Sequence, residues 1–355
     1  MIGPWPRLRG RLRVFNNVMI AWLVGVLIVF VIESFLVDSQ PYDYYILMRG
    51  ADLFCFHQGA FHYGWPFYYP APFYTAFCLP YHFAEPLLRW TWMLAPVMMT
   101  LWLAQGRAAA LVYPPLGVLL LIGQSSWLVL PPFWVGVRDQ AGEEAPWWHG
   151  LLVALGLFKP HIALPVWVWL GWRWLKRRQW AALAAWAAGV AILVVPSFLI
   201  RPGWLVEWLP QPRGYEPVNL ATLAQIPVVL GHVTFAPDRE TQVVIYALCL
   251  LMGVILYAIV RWRRGGLALY DWTLVVFLVN PMLHDYDLLA LLPFIARSRR
   301  RLLLALTVGV LVWLFAMMSR VTAPKGRWSM SLLITLVLLA DRLWNVRRGK
   351  AAPAT

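Results

Sequence analysis

Three short stretches of this chain carry side chains equipped for chemistry. The first is Asp43, set in the aromatic segment DSQPYDYYILMRGADLFCFHQGAFHYGWPFYYPAPFY (38–74). A carboxylate walled by aromatic rings is partly desolvated and can act as a general base toward a hydroxyl. The spacing from Asp43 to about Cys55 suits an interfacial helix with Asp43 in its first turn, where the helix dipole also favours an acid, so cap and base are both open. The second stretch is His284-Asp285-Tyr286-Asp287. His284 can donate to a phosphate. The Asp-x-Asp pair fits a cation less well than the start of a helix, where acids are favoured anyway. The third is Lys159-Pro160, inside an otherwise apolar run. An ammonium there must face the protein interior or a wet cavity and find a partner, and Pro160 breaks the helix and frees carbonyls beside it.

These groups must be positioned by apolar elements, because little else is present. Of 355 residues, 61% are hydrophobic and 13% charged, with 23 Trp, 17 Phe and 14 Tyr. A soluble globular domain carries about 25% charged residues. Mean hydropathy is +0.64, spread along the chain. Disorder is excluded, since so many aromatics cannot stay solvated. The expectation is one integral membrane domain over 1–355, all-α and polytopic, with about twelve spans of about 20 residues each. The candidate segments lie near 14–37, 67–84, 87–105, 108–122, 125–137, 147–171, 180–200, 241–260, 267–283, 285–296, 302–318 and 328–341. The run at 14–37 lacks a small-residue cleavage site and is expected to stay as the first span.

The net charge of +14 is read as topology. Lys and Arg concentrate in cytoplasmic loops of membrane proteins, which explains the charge without any nucleic-acid partner. Placing Arg7–Arg13 and Arg173–Arg178 on one side requires two helices around Gly123-Gln124-Ser125-Ser126 rather than one kinked helix. Arg89, Glu85, Arg261–Arg264, Arg297–Arg301 and the Arg342–Lys350 run then fall on the cytoplasmic side, and Arg107, Arg138, Asp139, Glu143 and Glu144 outside. Both termini, the basic tail 1–13 and the tail 342–355, are expected in the cytoplasm, with outer loops at 38–66 and 201–240. Cys55, Cys78 and Cys249 have no metal-ligand spacing and are read as packing residues. No phosphate-cradling glycine loop, zinc signature or internal repeat occurs, and no resident cofactor or metal is expected.

Taken in order, Asp43-Tyr44-Tyr45, Tyr69-Pro70-Ala71-Pro72, Gly123-Gln124, Lys159-Pro160 and His284-Asp285-Tyr286 before Leu-rich sequence ending at Pro293 give the chain a likeness to a known family. It resembles glycosyltransferase family 87, the membrane α-1,2-mannosyltransferase-like proteins of the GT-C fold, over about residues 14–296. The resemblance implies transfer of a sugar from a polyprenyl-phosphate donor to a lipid or glycan acceptor at the outer face of the cytoplasmic membrane. It implies Asp43 as the catalytic base, with Asp38 as the alternative acid in the same loop, and His284 near the donor phosphate. Arg49, Arg213, Lys159 and Asp285 are further candidates on the donor side, and Tyr44, Tyr45 and Tyr69 are candidates for contact with substrate. The chain departs from the family pattern in Tyr-Pro-Ala-Pro, where consecutive prolines are common, and in a compact outer loop.

The physical argument runs parallel. A glycosyl phosphate carries a good leaving group, so one carboxylate can suffice where hydrolysis of a sugar–sugar bond uses two. Three other functions share the same composition: a transporter or flippase of a lipid-linked saccharide, a pentofuranosyl transferase, and an inactive scaffold. Transporters place polar groups near the midplane and show repeats, whereas here the ionisable groups crowd one face.

Overall fold

The computed structural model describes residues 42–57, 69–208, 222–225, 239–264, 268–322 and 332–347. Among them every regular element is helical. The expected first span at 14–37, Asp38, Arg213 and most of the aromatic run at 58–68 lie outside the described residues.

Helix α1 (Tyr42–Phe56) begins where the sequence places it, with Asp43 in the first turn. Helix α2 (Ala71–Leu103) starts at Pro72, whose missing N–H costs nothing in a first turn. It folds back on itself at Ala84 (φ −145°, ψ 39°), two residues before Pro86. Phe73 and Phe77 of the first limb both reach Trp92 of the second, with ring centroids 6.2 and 5.1 Å apart. In a straight helix residues 77 and 92 would be about 22 Å apart. The limbs on either side of Ala84 therefore form a hairpin, divided where the sequence reading divides 67–84 from 87–105.

A 3-10 turn (Ala108–Val112) leads into α3 (Pro114–Ile122), and a second (Ser126–Val129) into α4 (Leu130–Gln140). These are two elements around Gln124, as expected. They are separated by Gly123 at φ 72°, a left-handed helix end that favours glycine. Helix α5 (Trp148–Ala154) continues as 3-10 to Phe158, and α6 (Pro160–Lys176) starts anew after Lys159. Helix α7 (Trp180–Ile200) packs on α5 at Gly150, where a Cβ would lie 2.1 Å from the Ala182 carbonyl oxygen. Helices α8 (Arg239–Arg264) and α9 (Leu269–Val279) follow. The segment expected as a span at 285–296 is instead a buried 3-10 helix (Asp285–Leu291) and one α-turn (Leu292–Ile295). Helices α10 (Arg299–Thr322) and α11 (Leu332–Arg347) complete the described chain.

Among the described residues two helices are long and apolar enough to cross a bilayer, Trp180–Ile200 and Val243–Trp262. Only 11% and 17% of their most apolar windows are buried, the reverse of a soluble core helix. These two fall short of the count of about twelve that the sequence suggests.

The bundle has two distinct ends. At one, Arg173 and Arg177 pair with Asp139, Arg342 with Asp271 and Arg300 with Asp341, while Arg107 donates to the Ala296 carbonyl and Arg297 to that of Val137. At the other lie α1, the bend of α2 and the breaks at 123–126, 159 and 280–287. The break at Ala84 lies at the α1 end, the reverse of the side expected for Glu85 and Arg89. Glu85 and Arg89 belong with Tyr44 at the α1 end, and Arg107, Arg138, Asp139 and Glu143 belong at the arginine-rich end. Two arginines thereby join the basic end and one leaves it, with Asp139 and Glu143 joining and Glu85 leaving, so these exchanges leave its net charge unchanged.

Candidate active site

The breaks converge on one polar cluster, and each places a different side chain. Pro160 cannot extend the preceding helix, so Lys159 takes an extended backbone (φ −139°, ψ 73°) and its side chain enters the bundle, 3% exposed. Its ammonium donates to Asp287 Oδ1 at 3.0 Å, Ser126 Oγ at 2.8 Å and Gln124 Oε1 at 3.2 Å. The three donors of the group thus meet three acceptors. Ser126 also donates to Asp287 Oδ1 at 2.5 Å, and the backbone N–H of His284 donates to Oδ2 at 2.9 Å. Asp287 is completely buried. It balances Lys159 and caps the 3-10 helix that begins at Asp285, so its oxygens are turned inward and do not form an Asp-x-Asp cation site with Asp285.

Gln124 ties this interior pair to the rim. Its Oε1 accepts from the Tyr69 hydroxyl at 2.7 Å and from the backbone N–H of Ser125 at 3.0 Å. Its Nε2 donates to Asp43 Oδ2 at 2.9 Å and to the Tyr286 hydroxyl at 3.3 Å. Ser125 Oγ donates to the Tyr69 hydroxyl at 2.8 Å. Asp43 is half-buried, at the start of α1. The helix that presents it is fixed by the Cys55–Cys78 disulfide, by Tyr44 against Trp92 and by Phe54 against Tyr74. The disulfide corrects the reading of Cys55 and Cys78 as packing residues; Cys249 is free and buried, as a packing residue would be. The two partners are 23 residues apart with no motif between them, so nothing in the sequence marks the pair.

The structure brings together Asp43, Tyr69, Lys159 and the His284–Asp287 turn. The His284 ring stacks on Tyr286 at 5.3 Å with an interplanar angle of 3°, and its Nδ1 lies 3.6 Å from Asp287 Oδ2. Its Nε2 edge therefore points away from that carboxylate. Asp285 sits beside it in the first turn of the 3-10 helix. Tyr44 is 1% exposed, packed under α1, and burial holds its phenol well above the ordinary value. Arg49 donates to the Tyr45 hydroxyl at 2.9 Å, on an exposed part of α1 away from Gln124. Near them, Asp52 meets His82 at 3.2 Å. Sequence reasoning did not single out Gln124, Ser125, Ser126 or Asp287 as one unit. The available signals were a run of polar residues at 124–126 interrupting apolar sequence and Gly123-Gln124 in the family likeness, and neither assigns the amide a role.

Chemically, the cluster offers one carboxylate at the rim, oriented by an amide, beside an imidazole edge. A carboxylate so placed can take up one proton from a hydroxyl. The model of glycosyltransferase family 87 matches residues 67–284, well over half of the chain. No curated protein and no solved structure matches significantly. The matched region contains Tyr69, Gly123–Ser126, Lys159 and His284, which the fold draws into one cluster, and the chain belongs to glycosyltransferase family 87.

Proposed function

We propose that the chain is a multi-pass membrane glycosyltransferase that moves a hexose, mannose first, from a polyprenyl-phosphate donor to a lipid or glycan acceptor. The reaction proceeds with inversion at the outer face of the cytoplasmic membrane. The acceptor hydroxyl oxygen attacks the anomeric carbon, its proton passes to Asp43, and the bond from that carbon to the phosphate oxygen breaks, its electron pair leaving with the polyprenyl phosphate. His284 donates toward that phosphate from the Nε2 edge. No resident metal or cofactor is needed, because the leaving group requires little help and Asp287 is committed to Lys159.

The observation that carries this reading is the position of Asp43. It is a half-buried acid at the rim of a cluster whose interior charge is already balanced, and Gln124 holds it there. Helix α6 runs 17 residues from Lys159 to the arginine-rich end, about 26 Å, so the cluster sits near the far edge of an apolar layer about 30 Å thick. The arginine-rich end is cytoplasmic by the distribution of positive charge. A disulfide on the opposite end agrees with an oxidising exterior. A nucleotide sugar, multiply charged, does not cross a bilayer unaided, so a site on that face takes a lipid-borne donor.

The test uses protein reconstituted in vesicles with lipid acceptors. Labelled mannose is expected to move from polyprenyl-phosphate mannose and not from a nucleotide mannose. Transfer from the nucleotide sugar overturns the donor assignment.

A further inference from the structure

Gln124 touches both the buried ion pair and the rim carboxylate, and its geometry leaves its amide no choice of orientation. Three donors converge on one end: the Tyr69 hydroxyl at 2.7 Å, the Ser125 N–H at 3.0 Å and the Lys159 ammonium at 3.2 Å. At the other end lie an anion, Asp43 Oδ2 at 2.9 Å, and the Tyr286 hydroxyl at 3.3 Å. Exchanging oxygen and nitrogen would set an NH2 group against an ammonium and a backbone N–H, and an oxygen against a carboxylate. The side chain is 7% exposed. Its backbone is held as well, since Gly123 closes α3 in the left-handed conformation and the Trp92 indole N–H donates to the Gly123 carbonyl at 2.9 Å.

We infer that Gln124 is a positioning residue for the transfer, an amide relay that takes its orientation from Lys159 and Tyr69 and aims the Asp43 carboxylate at the acceptor hydroxyl. A cation on the amide oxygen polarises the group and strengthens the hydrogen bond its nitrogen makes to an anion. Lys159 thereby acts on Asp43 without touching it. The pairing of Lys159 with Asp287 keeps the ammonium in place between substrate cycles. The inference rests on the reading of Asp43 as the base.

Gln124→Glu separates positioning from scaffolding. Glutamate keeps an oxygen for Lys159, Tyr69 and the Ser125 N–H, so a scaffolding role survives. It loses the donor to Asp43 and, at about pH 8 beside Lys159, presents an anion to it. Kinetics of mannosyl transfer are measured for wild type, Gln124→Glu, Tyr69→Phe and Asp43→Asn at matched amounts of folded protein. The expected result for Gln124→Glu is a kcat about 100-fold lower with donor KM within about twofold, the size expected when a catalytic group is misplaced by about 1 Å. A kcat within threefold of wild type, or a raised KM with kcat preserved, overturns the inference. Should Gln124→Glu not fold, Tyr69→Phe decides: a kcat several-fold lower at constant KM supports the relay, and an unchanged kcat overturns it. Asp43→Asn distinguishes the two levels. An inactive Asp43→Asn beside a fully active Gln124→Glu removes only the relay, whereas an active Asp43→Asn removes the base and the relay together.

Discussion

Each end of the bundle buries acids against cations, in contrasting ways. At the arginine-rich end the Asp139 side chain is 1% exposed, but its partners Arg173 and Arg177 are 25% and 38% exposed. Asp271 is likewise fully buried against Arg342, which is 13% exposed. These guanidinium groups reach from buried acids toward the surface. At the opposite end the Lys159 side chain is 4% exposed and Asp287 not at all. Here the cation is sealed in, and Gln124 links it to the rim carboxylate of Asp43. Dense charge at the first end anchors helices to one another. Sparse, enclosed charge at the second end is where removing one group strands another, and where a rim carboxylate can be held in one orientation.

The contrast can be broken or sharpened by substitution. Lys159→Met strands Asp287 as an uncompensated buried charge and is expected to destabilise the fold by about 3–5 kcal/mol. Thermal unfolding in detergent reads this directly. Replacing both partners with apolar residues of similar size is expected to recover much of the loss, and no recovery would mean the pair does more than balance charge. Replacing Cys55 and Cys78 by Ser frees α1 from α2. A 23-residue separation predicts a loss of about 3 kcal/mol. The same change is expected to lower transfer by loosening the helix that carries Asp43. Asp139→Asn gives the smallest effect, about 1–3 kcal/mol of stability, since its arginines can turn to water. Transfer per folded molecule is expected within threefold of wild type. A larger loss of transfer in Asp139→Asn than in the disulfide variant would contradict the division of labour between the two ends.

The helical class was legible from composition, and the helix starting at Asp43, the break at Lys159 and the helix start at Asp285 were legible from local rules of dipole and proline. The break at Ala84 was legible as the division between two apolar runs at 67–84 and 87–105, and the packing of Phe73 and Phe77 on Trp92 agrees with it. Which end of the bundle holds that break was not legible, so Arg89, Arg107, Arg138 and Asp139 were expected at the opposite ends. Candidate site residues were legible where a charge was out of place, as with Asp43 and Lys159. Gln124 entered through the family likeness without a role, because an uncharged amide gives no such signal and its contacts are with partners 35 and 81 residues away. Lys159 was expected to find an interior partner, with carbonyls freed by Pro160 as one alternative; the structure supplies a carboxylate 128 residues away, brought close by the 3-10 helix on which Asp287 sits.

The central claim is that Asp43 takes the proton of the acceptor hydroxyl. The most direct test is transfer of labelled mannose from polyprenyl-phosphate mannose to lipids in membranes holding equal amounts of wild type, Asp43→Asn or Asp38→Asn protein. The expected result is a rate about 10³-fold lower for Asp43→Asn, within the range for loss of a general base, and near wild-type transfer for Asp38→Asn. Transfer that survives in Asp43→Asn, or is lost only in Asp38→Asn, would contradict the account.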